Sequence, residues 1–575
     1  MLQLSKFRRN FGNSDRKQLT TMKTRFTPRG PADLSPLGNL PGWFSALLRL
    51  RGVHTEEEAR RFLFPSLEDL NDPFLLPGMD KAVRLIRDAV AAGDRIMIFG
   101  DYDADGVCAT SILLETLTEL GAQVSFRLPS RHADGYGLNE GVVRETAEKA
   151  KLLITVDCGI SNPAEVALAK SLGLTVIVTD HHQLPEELPP ADAILEPLLG
   201  DYPCPHLCGA GVALKLCQAL QGTEGVEKRL DLAAIATVAD VVPLLDENRV
   251  IVREGLRRLN AARRPGLKAM LELSGTTPPL RADDLGFRIA PRLNAAGRLG
   301  DAGICVRLLL TGREETARTA AQQLGSMNRE RQAQEREITA AALSQAAGQA
   351  GDPESRVIMA SGDGWNPGLI GLTAGRLCER FYRPAVVLSV PEDGGPVVGS
   401  CRSVPGIHLF ETLQACSDLL IRFGGHAQAA GLAIARENIP ALRERMDEVL
   451  KSRYPEECFR RELPYDLSVP FGMWTEETLS LLNQLEPTGC GNPAPAFLLP
   501  GASIQTMRRV GRDGAHLQIT ALDGDNTFVR AIAFSQGDAA DRPLPDADLL
   551  YTPTVNRFNG RTSIEAQVLA INECN

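Results

Sequence analysis

The chain has 575 residues, 43% of them hydrophobic and 23% charged, and its formal net charge is −10 at pH 7. This is the composition of an ordinary globular protein with room for three or four domains, and because no run of 18 or more apolar residues occurs, a membrane span is not expected. The acidic balance argues against a generally basic nucleic-acid coat, although a local groove can still be positive.

The twelve cysteines are scattered singly and form no Cys-x-x-Cys pair. Such usage is typical of reduced thiols, so we expect a cytoplasmic protein. Residues 204–208 contain two cysteines and a histidine, but no second ligand pair follows at zinc spacing, which predicts a loop. The first 30 residues are basic and lack the apolar core of a secretory signal. A DNA-binding arm, a targeting peptide and a true start at Met22, with residues 1–21 not genuine, all remain open.

In chain order, residues 31–78 indicate a short helical region in which Thr55 caps a helix. From about 80 to 260, strands and helices alternate, which predicts βαβ units around a parallel sheet. Residues 313–350 are rich in Ala, Gln, Glu and Arg. This composition predicts one long amphipathic helix that links two lobes.

A second α/β lobe is predicted at about 355–450, with strands at 356–359 and 385–388. From about 462 the pattern changes to five short strands separated by Gly, Pro and Asn-Gly turns. Five short strands in about 110 residues are typical of an OB-fold, a barrel that often binds single strands.

Three aspartates follow the first strand of the alternating region. The apolar run 95–99 precedes Asp101, Asp103 and Asp105, and a helix-like segment follows at 107–120. This order places the acids at the carboxyl end of a parallel strand, where open α/β sheets bind ligands. A lone Asp after a strand is most simply a helix N-cap. The calcium-loop pattern is rejected, because its late glutamate is displaced and the flanks are a strand and a helix.

Further apolar stretches of this region also end in acids or imidazoles. Asp157 follows one strand, Asp180, His181 and His182 follow the next, and Asp240 follows an apolar stretch. Carboxylates and imidazoles without a thiolate suit Mg²⁺ or Mn²⁺ better than structural zinc. So many acids are enough for two ions about 3.5–4 Å apart, the arrangement that cleaves phosphoesters. The sequence therefore predicts a two-metal site at this edge of the sheet.

These residues and several other motifs resemble the DHH phosphoesterase superfamily and, within it, the RecJ family of single-strand-specific exonucleases. The motifs run in family order from about residue 80 to beyond 430, and the tail also looks RecJ-like. The stretches that carry the resemblance are 100–106 (GDYDADG), 134–138 (DGYGL), 155–160 (TVDCGI), 178–182 (VTDHH), 237–244 (TVADVVPL), 291–298 (PRLNAAGR), 399–403 (GSCRS) and 423–426 (FGGH).

The resemblance implies an α/β fold with a parallel-sheet DHH lobe, a long linker helix, a second DHH-associated α/β lobe and a C-terminal OB-fold barrel. The expected boundaries are 1–78 for an N-terminal extension and helical region, 79–312 for the catalytic domain, 313–352 for the linker helix, 353–455 for the substrate-binding domain and 460–575 for the OB-fold.

The function implied is a 5′→3′ exonuclease that uses two Mn²⁺ or Mg²⁺ ions to release 5′-mononucleotides from single-stranded DNA in recombination and repair. The resemblance also implies a monomer without membrane association, with a single-strand binding protein and a RecQ-type helicase as partners. One alternative is a DHH phosphodiesterase for oligoribonucleotides or dinucleotides, which the OB-like tail disfavours. Another is a non-catalytic DNA-binding subunit, which the retained ligands disfavour.

By resemblance, five residues are metal ligands: Asp103, Asp105, Asp157, His181 and Asp240. Asp157 is expected to bridge the two ions. The resemblance also places Asp101 and His182 at the catalytic centre, with His182 near the scissile phosphate. Asp180 is expected to orient His181 through its ring N–H, as ligating histidines require.

The second lobe is expected to contact the substrate. Ser400 and Arg402 suit a terminal phosphate, because a guanidinium binds it through two hydrogen bonds. Gly424 and Gly425 offer backbone N–H groups and His426 an imidazole, although a tight turn with a packing histidine is the simpler interpretation of these three alone. Three arginines are further phosphate-contact candidates or plain surface charges: Arg131, Arg292 and Arg298.

The sequence departs from the family pattern at two positions. Asn366 stands where members often have a histidine, which removes a charge from that contact. Phe99 stands where DHH pyrophosphatases have a histidine ligand, which leaves the first metal more open and counts against inorganic pyrophosphatase.

Overall fold

The computed structural model of the chain describes residues 24–129, 137–352, 354–511, 513–542, 544–558 and 561–574. These residues form two compact units. The first unit comprises 33–328 and 481–494, and the second comprises the remaining described residues. The five domain boundaries expected from the sequence stay a prediction.

The bounds of the elements are as follows. The strands are β1 Arg25–Pro28, β2 Arg95–Gly100, β3 Gln123–Arg127, β4 Leu152–Val156, β5 Thr175–Thr179, β6 Ala193–Leu195, β7 Ile358–Asp363, β8 Ala385–Val390, β9 Val397–Arg402, β10 Leu420–Gly425, β11 Ala429–Ile434, β12 Glu462–Tyr465, β13 Leu467–Ser468, β14 Phe497–Val510, β15 His516–Leu522, β16 Phe528–Ala533, β17 Asp546–Phe558 and β18 Arg561–Glu573. The helices are α1 Gly42–Arg49, α2 Glu56–Leu63, α3 Met79–Ala92, α4 Ala104–Glu119, α5 Glu140–Lys149, α6 Pro163–Ser171, α7 Gly209–Ala239, α8 Asp246–Asn260, α9 Pro265–Ser274, α10 Ala282–Asp284, α11 Ala290–Leu299, α12 Gly303–Leu310, α13 Glu314–Ala350, α14 Ile370–Phe381, α15 Leu409–Gln414, α16 Ile439–Arg453 and α17 Glu476–Asn483.

The first unit is built on a five-stranded sheet with the order β3-β2-β4-β5-β6, in which all neighbours are parallel. Every residue of β4 is buried. Such continuous apolar strands are typical of a parallel sheet covered on both faces. The carboxyl ends of β2, β4 and β5 are in register, because Gly100 lies beside Val156 and Val156 beside Thr179. The predicted parallel sheet is confirmed, and its acid-bearing strand ends are neighbours.

An ion-pair network joins α4 to α7. The guanidinium of Arg264 donates hydrogen bonds to both carboxylate oxygens of Glu115 on α4, at 2.9 Å each. Its Nε donates to Asp231 Oδ2 on α7 at 3.0 Å. The Asp231 side chain is buried, while that of Arg264 is 11% exposed and that of Glu115 is 26% exposed. Because α4 follows Asp103 and α7 ends before Asp240, this network fixes the two helices next to the predicted ligands.

The second unit contains a mixed sheet and a barrel. The sheet has the order β10-β11-β9-β8-β7, with β7 and β8 parallel and the other neighbours antiparallel. In the barrel, β14, β15, β16, β18 and β17 pair in that order, and β17 pairs back with β14. This closure is the OB-like barrel that the short strands predict. With the first unit's parallel sheet, it confirms the predicted fold class.

Several local predictions also agree with the structure. The long helix is α13, with 37 residues. Thr55 caps α2 by accepting a hydrogen bond from Glu58 N. Residues 204–208 form a loop in which both cysteines are free and buried. Among the described residues, no helix has the length and apolar character that crossing a membrane requires.

We expect Arg264→Ala to lower the free energy of unfolding by about 1.5–3 kcal/mol, the worth of hydrogen bonds to charged groups, because Glu115 keeps Arg229 and Asp231 keeps Arg258 as an ion-pair partner. Urea denaturation would measure the loss. The control is Arg257→Ala on α8, whose guanidinium also meets a carboxylate, that of Glu254, but is 80% exposed. Its loss should stay within about 0.5 kcal/mol. Equal losses in the two variants would contradict a structural role for the Arg264 network.

Candidate metal centre

The turn between β2 and α4 presents three aspartates at the carboxyl edge of the sheet. Asp103 caps α4, because its Oδ1 accepts hydrogen bonds from the backbone N–H groups of Asp105 and Gly106, at 2.9 and 3.1 Å. Its carboxylate also lies within 4.8 Å of carboxylate oxygens of Asp101 and Asp157. Asp103 is therefore an N-cap and a member of an acidic cluster at once.

Asp105 contacts the N-terminus of α7. Its two oxygens accept hydrogen bonds from Gly209 N and Ala210 N, both at 2.7 Å. Gly209 has no room for a side chain, since a Cβ would lie 2.6 Å from Asp157 Cβ. The helix N-terminus thus contributes N–H groups and a favourable dipole to a buried carboxylate.

Helix α7 also ends at this cluster. The chain turns at Gly222, whose φ of 71° and ψ of −164° interrupt the helix. A residue with a Cβ rarely adopts such angles. After the turn the second arm runs to Asp240, whose Oδ2 lies 3.8 Å from His181 Nε2. Both ends of one helical hairpin therefore reach the acidic cluster.

Asp157 has the most constrained position of the cluster. It follows β4 with φ 60°, in the left-handed region that residues other than glycine seldom adopt. Its side chain is buried, and its Oδ1 has no hydrogen-bond partner among the described residues. Strained backbone of this kind concentrates at functional sites. The geometry holds this carboxylate oxygen inside the cluster, beside the His181 ring.

His181 is the point at which the cluster converges. Its Nε2 lies 3.0 Å from Asp157 Oδ1, 3.7 Å from Asp105 Oδ2 and 3.8 Å from Asp240 Oδ2. The structure thus brings together all five predicted metal ligands, with Asp103 reaching the group through Asp157. Their individual roles as ligands stay predictions.

The acids of the cluster lie close enough together to raise one another's pKa. Burial, followed by the charges of Asp105 and Asp103, raises the pKa of Asp157 well above its usual value. The same causes raise the pKa of Asp240 to about 8. Burial lowers the pKa of His181, so that its imidazole tends to be neutral, which is the form that binds metals.

The prediction that Asp180 orients His181 is wrong. The Asp180 Oδ1 atom lies 2.7 Å from His182 Nδ1, and it also accepts a hydrogen bond from His181 N at 2.8 Å. Burial lowers the pKa of His182, but the hydrogen bond and the charge of Asp180 outweigh it and raise that pKa to about 9. This raised pKa favours the protonated form of His182 at neutral pH, and Asp180 is its partner.

The donor set fits hard divalent cations. Carboxylate oxygens and one neutral imidazole nitrogen are ligands that Mg²⁺ and Mn²⁺ accept. A cation would bind Asp157 Oδ1, which makes no hydrogen bond among the described residues, and would offset the mutual repulsion that raises the pKa of Asp157 and Asp240. The oxygens of Asp105 retain a second lone pair each beside the helix N–H groups.

Helix α11 packs against the aspartate turn. Asn294 Oδ1 accepts a hydrogen bond from Ala104 N at 2.7 Å, and a Cβ on Gly297 would lie 2.5 Å from Tyr102 O. The candidates Arg292 and Arg298 lie half-buried on this same helix. The third candidate arginine, Arg131, lies outside the described residues.

The predicted substrate residues of the second unit also lie together. Ser400 and Arg402 project from the same face of β9, and Arg402 NH1 donates to Ser400 Oγ at 3.3 Å. Gly424 pairs with Gly431, which pairs with Ser400 across the sheet. Gly425 ends β10 and His426 is exposed in the following turn.

The two departures from the family pattern have local explanations. The Asn366 side chain accepts a hydrogen bond from Gly368 N at 2.8 Å and so shapes the turn before α14. Phe99 is fully buried in a hydrophobic cluster with Leu138, Val142 and Val166. An apolar partner set accounts for a phenylalanine at that position.

Some residues near these sites were missed by sequence reasoning. Asn294 contacts the backbone of Ala104 in the aspartate turn, and Gly209 contacts the carboxylate of Asp105. Both come from distant parts of the chain, and only the motif around Asn294 gave any signal. In the second unit, Arg422 lines an open cavity of about 360 Å³ together with Gly424 and Gly431. No sequence pattern marks Arg422.

Three family models match the chain. The DHH family N-terminal domain matches residues 95–239, the DHHA1 domain matches 354–452 and the RecJ OB domain matches 465–570. The first of these contains the cluster described above except for Asp240, and the last contains all but the final residues of the barrel.

The chain is also similar to whole proteins. It is 40% identical to the single-stranded-DNA-specific exonuclease RecJ of Bacillus subtilis, over 90% of this chain and 66% of that relative. It is 34% identical to the RecJ of Salmonella typhimurium, over 96% of this chain and 98% of the relative. A crystal structure of RecJ from Thermus thermophilus in complex with Mn²⁺ is 34% identical, with a TM-score of 0.82, and the match covers 96% of this chain and 80% of that one.

We expect the free energy of unfolding of the metal-free protein to fall as the pH rises from 5 to 6.5. The folded state keeps a proton on Asp240, whose pKa is about 8, while the unfolded state releases it near pH 4. A proton held only by the folded state costs about 1.4 kcal/mol per pH unit. Asp240→Asn should therefore reduce the slope of unfolding free energy against pH, with Asp157 keeping part of it, as measured by urea denaturation in a chelator.

The pKa of His182 is raised to about 9 in the folded state, whereas in the unfolded chain it is about 6.5. Above pH 6.5 this histidine therefore causes a further loss of stability, and the interval ends there. Saturating Mn²⁺ should also flatten the wild-type profile, since it keeps the carboxylates ionised. Parallel profiles for the wild type and Asp240→Asn would contradict the buried-acid origin of the effect.

Proposed function

Because the chain belongs to the RecJ family of single-stranded-DNA-specific exonucleases, we propose that it hydrolyses single-stranded DNA from the 5′ end and releases 5′-mononucleotides. The observation that carries this proposal is the convergence of Asp105, Asp157 and Asp240 on one imidazole nitrogen of His181. Such a cluster supports phosphodiester hydrolysis rather than binding alone.

The proposed cofactors are two divalent ions, Mn²⁺ or Mg²⁺. The residues that would hold them are Asp103, Asp105, Asp157, His181 and Asp240, with Asp157 shared between the two. Bound there, such ions activate a water nucleophile and stabilise the charge that develops on the leaving oxygen. Crystal structures of a RecJ from Thermus thermophilus contain Mn²⁺ in one case and Mg²⁺ in another.

His182 supplies a positive charge beside this centre. Its ring is 42% exposed while its Nδ1 is held by the buried Asp180. The hydrogen bond to Asp180 fixes the orientation of the ring, and the raised pKa favours its protonated form. We assign it a contact with the scissile phosphate, where it would stabilise negative charge or give a proton to the departing 3′ oxygen.

The direction of hydrolysis is assigned to recognition of the 5′ end. Arg402 and Ser400 lie side by side on β9, and a Cβ on Gly371 of α14 would lie 2.9 Å from Ser400 Oγ and 3.2 Å from Arg402 NH2. The glycine leaves both polar groups accessible to a small anion. A guanidinium and a hydroxyl are suited to a terminal phosphate.

The barrel offers a surface for the rest of the strand. Arg508 pairs with Gln518 and Thr520 with Arg530 across β14, β15 and β16. Phe528 follows on the same face and is 55% exposed. Cations and an exposed aromatic ring on one sheet face suit phosphates and stacked bases. This surface supports a polymer substrate over a dinucleotide.

The cellular assignments rest on family membership. We propose a role in DNA recombination and repair in the cytoplasm, as a monomer that acts with a single-strand binding protein and a RecQ-type helicase. Degradation of single-stranded DNA labelled at either end, with Mn²⁺, Mg²⁺ or EDTA present, tests the activity and its direction together. Release of label from the 3′ end first would overturn the assigned polarity.

Asp157→Asn should abolish hydrolysis while the protein stays folded, because it removes the charge of the shared carboxylate and relieves repulsion in the metal-free site. Asn is preferred to Ala here, since it tolerates the positive φ of this position. The control is Asp246→Asn, another aspartate with positive φ whose charged neighbours are Glu247, His206 and Arg61. Turnover near the wild-type rate in Asp157→Asn would exclude the two-metal assignment.

Arg402→Ala should weaken binding of 5′-phosphorylated single strands by about 10- to 150-fold, the effect of losing a charged hydrogen-bond partner worth about 1.5–3 kcal/mol. Strands with a 5′ hydroxyl should lose little. Single-turnover digestion of both substrates measures the difference, with the exposed Arg436→Ala of the same unit as the control. An equal penalty on both substrates would remove Arg402 from recognition of the 5′ end.

A further inference from the structure

The loop that follows Asp240 has little support of its own. Helix α7 ends at Ala239 and α8 begins at Asp246. Within the loop, Val241 has φ 62° and its side chain is 61% exposed. A β-branched residue at positive φ is unfavourable, and an exposed side chain gains nothing from packing to offset that cost. Other parts of the first unit must therefore hold the loop in this conformation.

That support comes from residues 481–494, here named the connector segment. It belongs to the first unit although the residues before and after it belong to the second. Leu244 N donates a hydrogen bond to Cys490 O at 2.8 Å. A Cβ on Gly491 would lie 2.9 Å from Pro243 Cβ, and a Cβ on Gly489 would lie 2.7 Å from Leu244 Cδ1. The connector segment is thus in direct contact with the loop.

The buried guanidinium of Arg249 holds the connector segment. It donates hydrogen bonds of 2.9–3.2 Å to four consecutive backbone carbonyls, those of Gln484, Leu485, Glu486 and Pro487. Arg249 is 1% exposed and its guanidinium lies 3.8 Å from the ring centroid of Phe62. One side chain therefore fixes a whole turn of the connector segment.

A second arginine holds the other end of the connector segment. Arg51 donates hydrogen bonds to Asn492 Oδ1 at 2.9 Å and to Pro493 O at 2.8 Å. Asn492 is fully buried, and its Nδ2 donates to Leu485 O and Pro487 O at 2.7 and 2.8 Å. These hydrogen bonds fix both ends of the segment that contains Cys490.

We propose that Arg249 and the connector segment position Asp240 for metal binding. They hold the 241–245 loop in a strained conformation, so that the carboxylate lies among the other acids before any ion arrives. The inference rests on the proposed role of Asp240 as a metal ligand. Arg249 is a positioning residue in this scheme, because it acts through the connector segment and the loop. Residues that orient ligands in this way raise the affinity of a site for its metal.

The test is Gly491→Ala in the full chain. The added methyl group displaces Pro243, and Mn²⁺ binding to the metal-free protein, measured by calorimetry, should weaken by about 10-fold. Activity should return when the Mn²⁺ concentration is raised by the same factor. The matched control is Gly275→Ala, since Gly275 has φ 63° against 69° for Gly491 but no atom within 4 Å of its added Cβ. It should bind Mn²⁺ as the wild type does.

Two further variants distinguish a failure of the proposed positioning role from a failure of the proposed ligand role of Asp240. Gly489→Ala places its methyl group against the flexible Leu244 side chain and carries the test if Gly491→Ala does not fold. Wild-type affinity in the folded variants would overturn the positioning role, as would equal weakening in Gly275→Ala. Asp240→Asn measures the ligand role itself. If it binds Mn²⁺ as the wild type does, the proposed ligand assignment fails, and not only its positioning.

Discussion

The candidate site depends on the burial of several carboxylates that repel one another. The repulsion raises the pKa of Asp157 and Asp240, so the metal-free cluster is held together against its own charge. The opposing forces are the N–H groups at the start of α7, the Arg264 network between α4 and α7 and the parallel sheet beneath. Stability of the first unit is therefore spent on keeping the acids close. A cation that enters the cluster turns this unfavourable arrangement into a favourable one.

The sequence was sufficient for the parts of this arrangement that local patterns encode. Buried strands followed by acids predicted the parallel sheet and the convergence of Asp103, Asp157 and His181, because strand ends of a parallel sheet must meet. The OB-like barrel followed from short strands and turn residues. Resemblance to a family supplied the individual roles, which neither spacing nor periodicity determines.

What the sequence could not supply are contacts between groups that are remote in the chain and carry no pattern. Asp105 accepts its hydrogen bonds from Gly209 and Ala210, about a hundred residues away, and every residue except proline provides such N–H groups. Asp180 pairs with His182 and not with His181, since turn geometry decides which ring comes within reach. Arg249 binds main-chain carbonyls, which leave no signature in the side chains of the connector segment.

The reversal at Gly222 has a practical consequence for labelling the enzyme. Its first arm has about thirteen residues, so the exposed bend lies about 20 Å along the helix from the acidic cluster. Both arms stay anchored at the cluster, whatever is attached at the bend. A fluorophore or spin label placed at the bend would therefore lie at a defined distance from the acids without touching them.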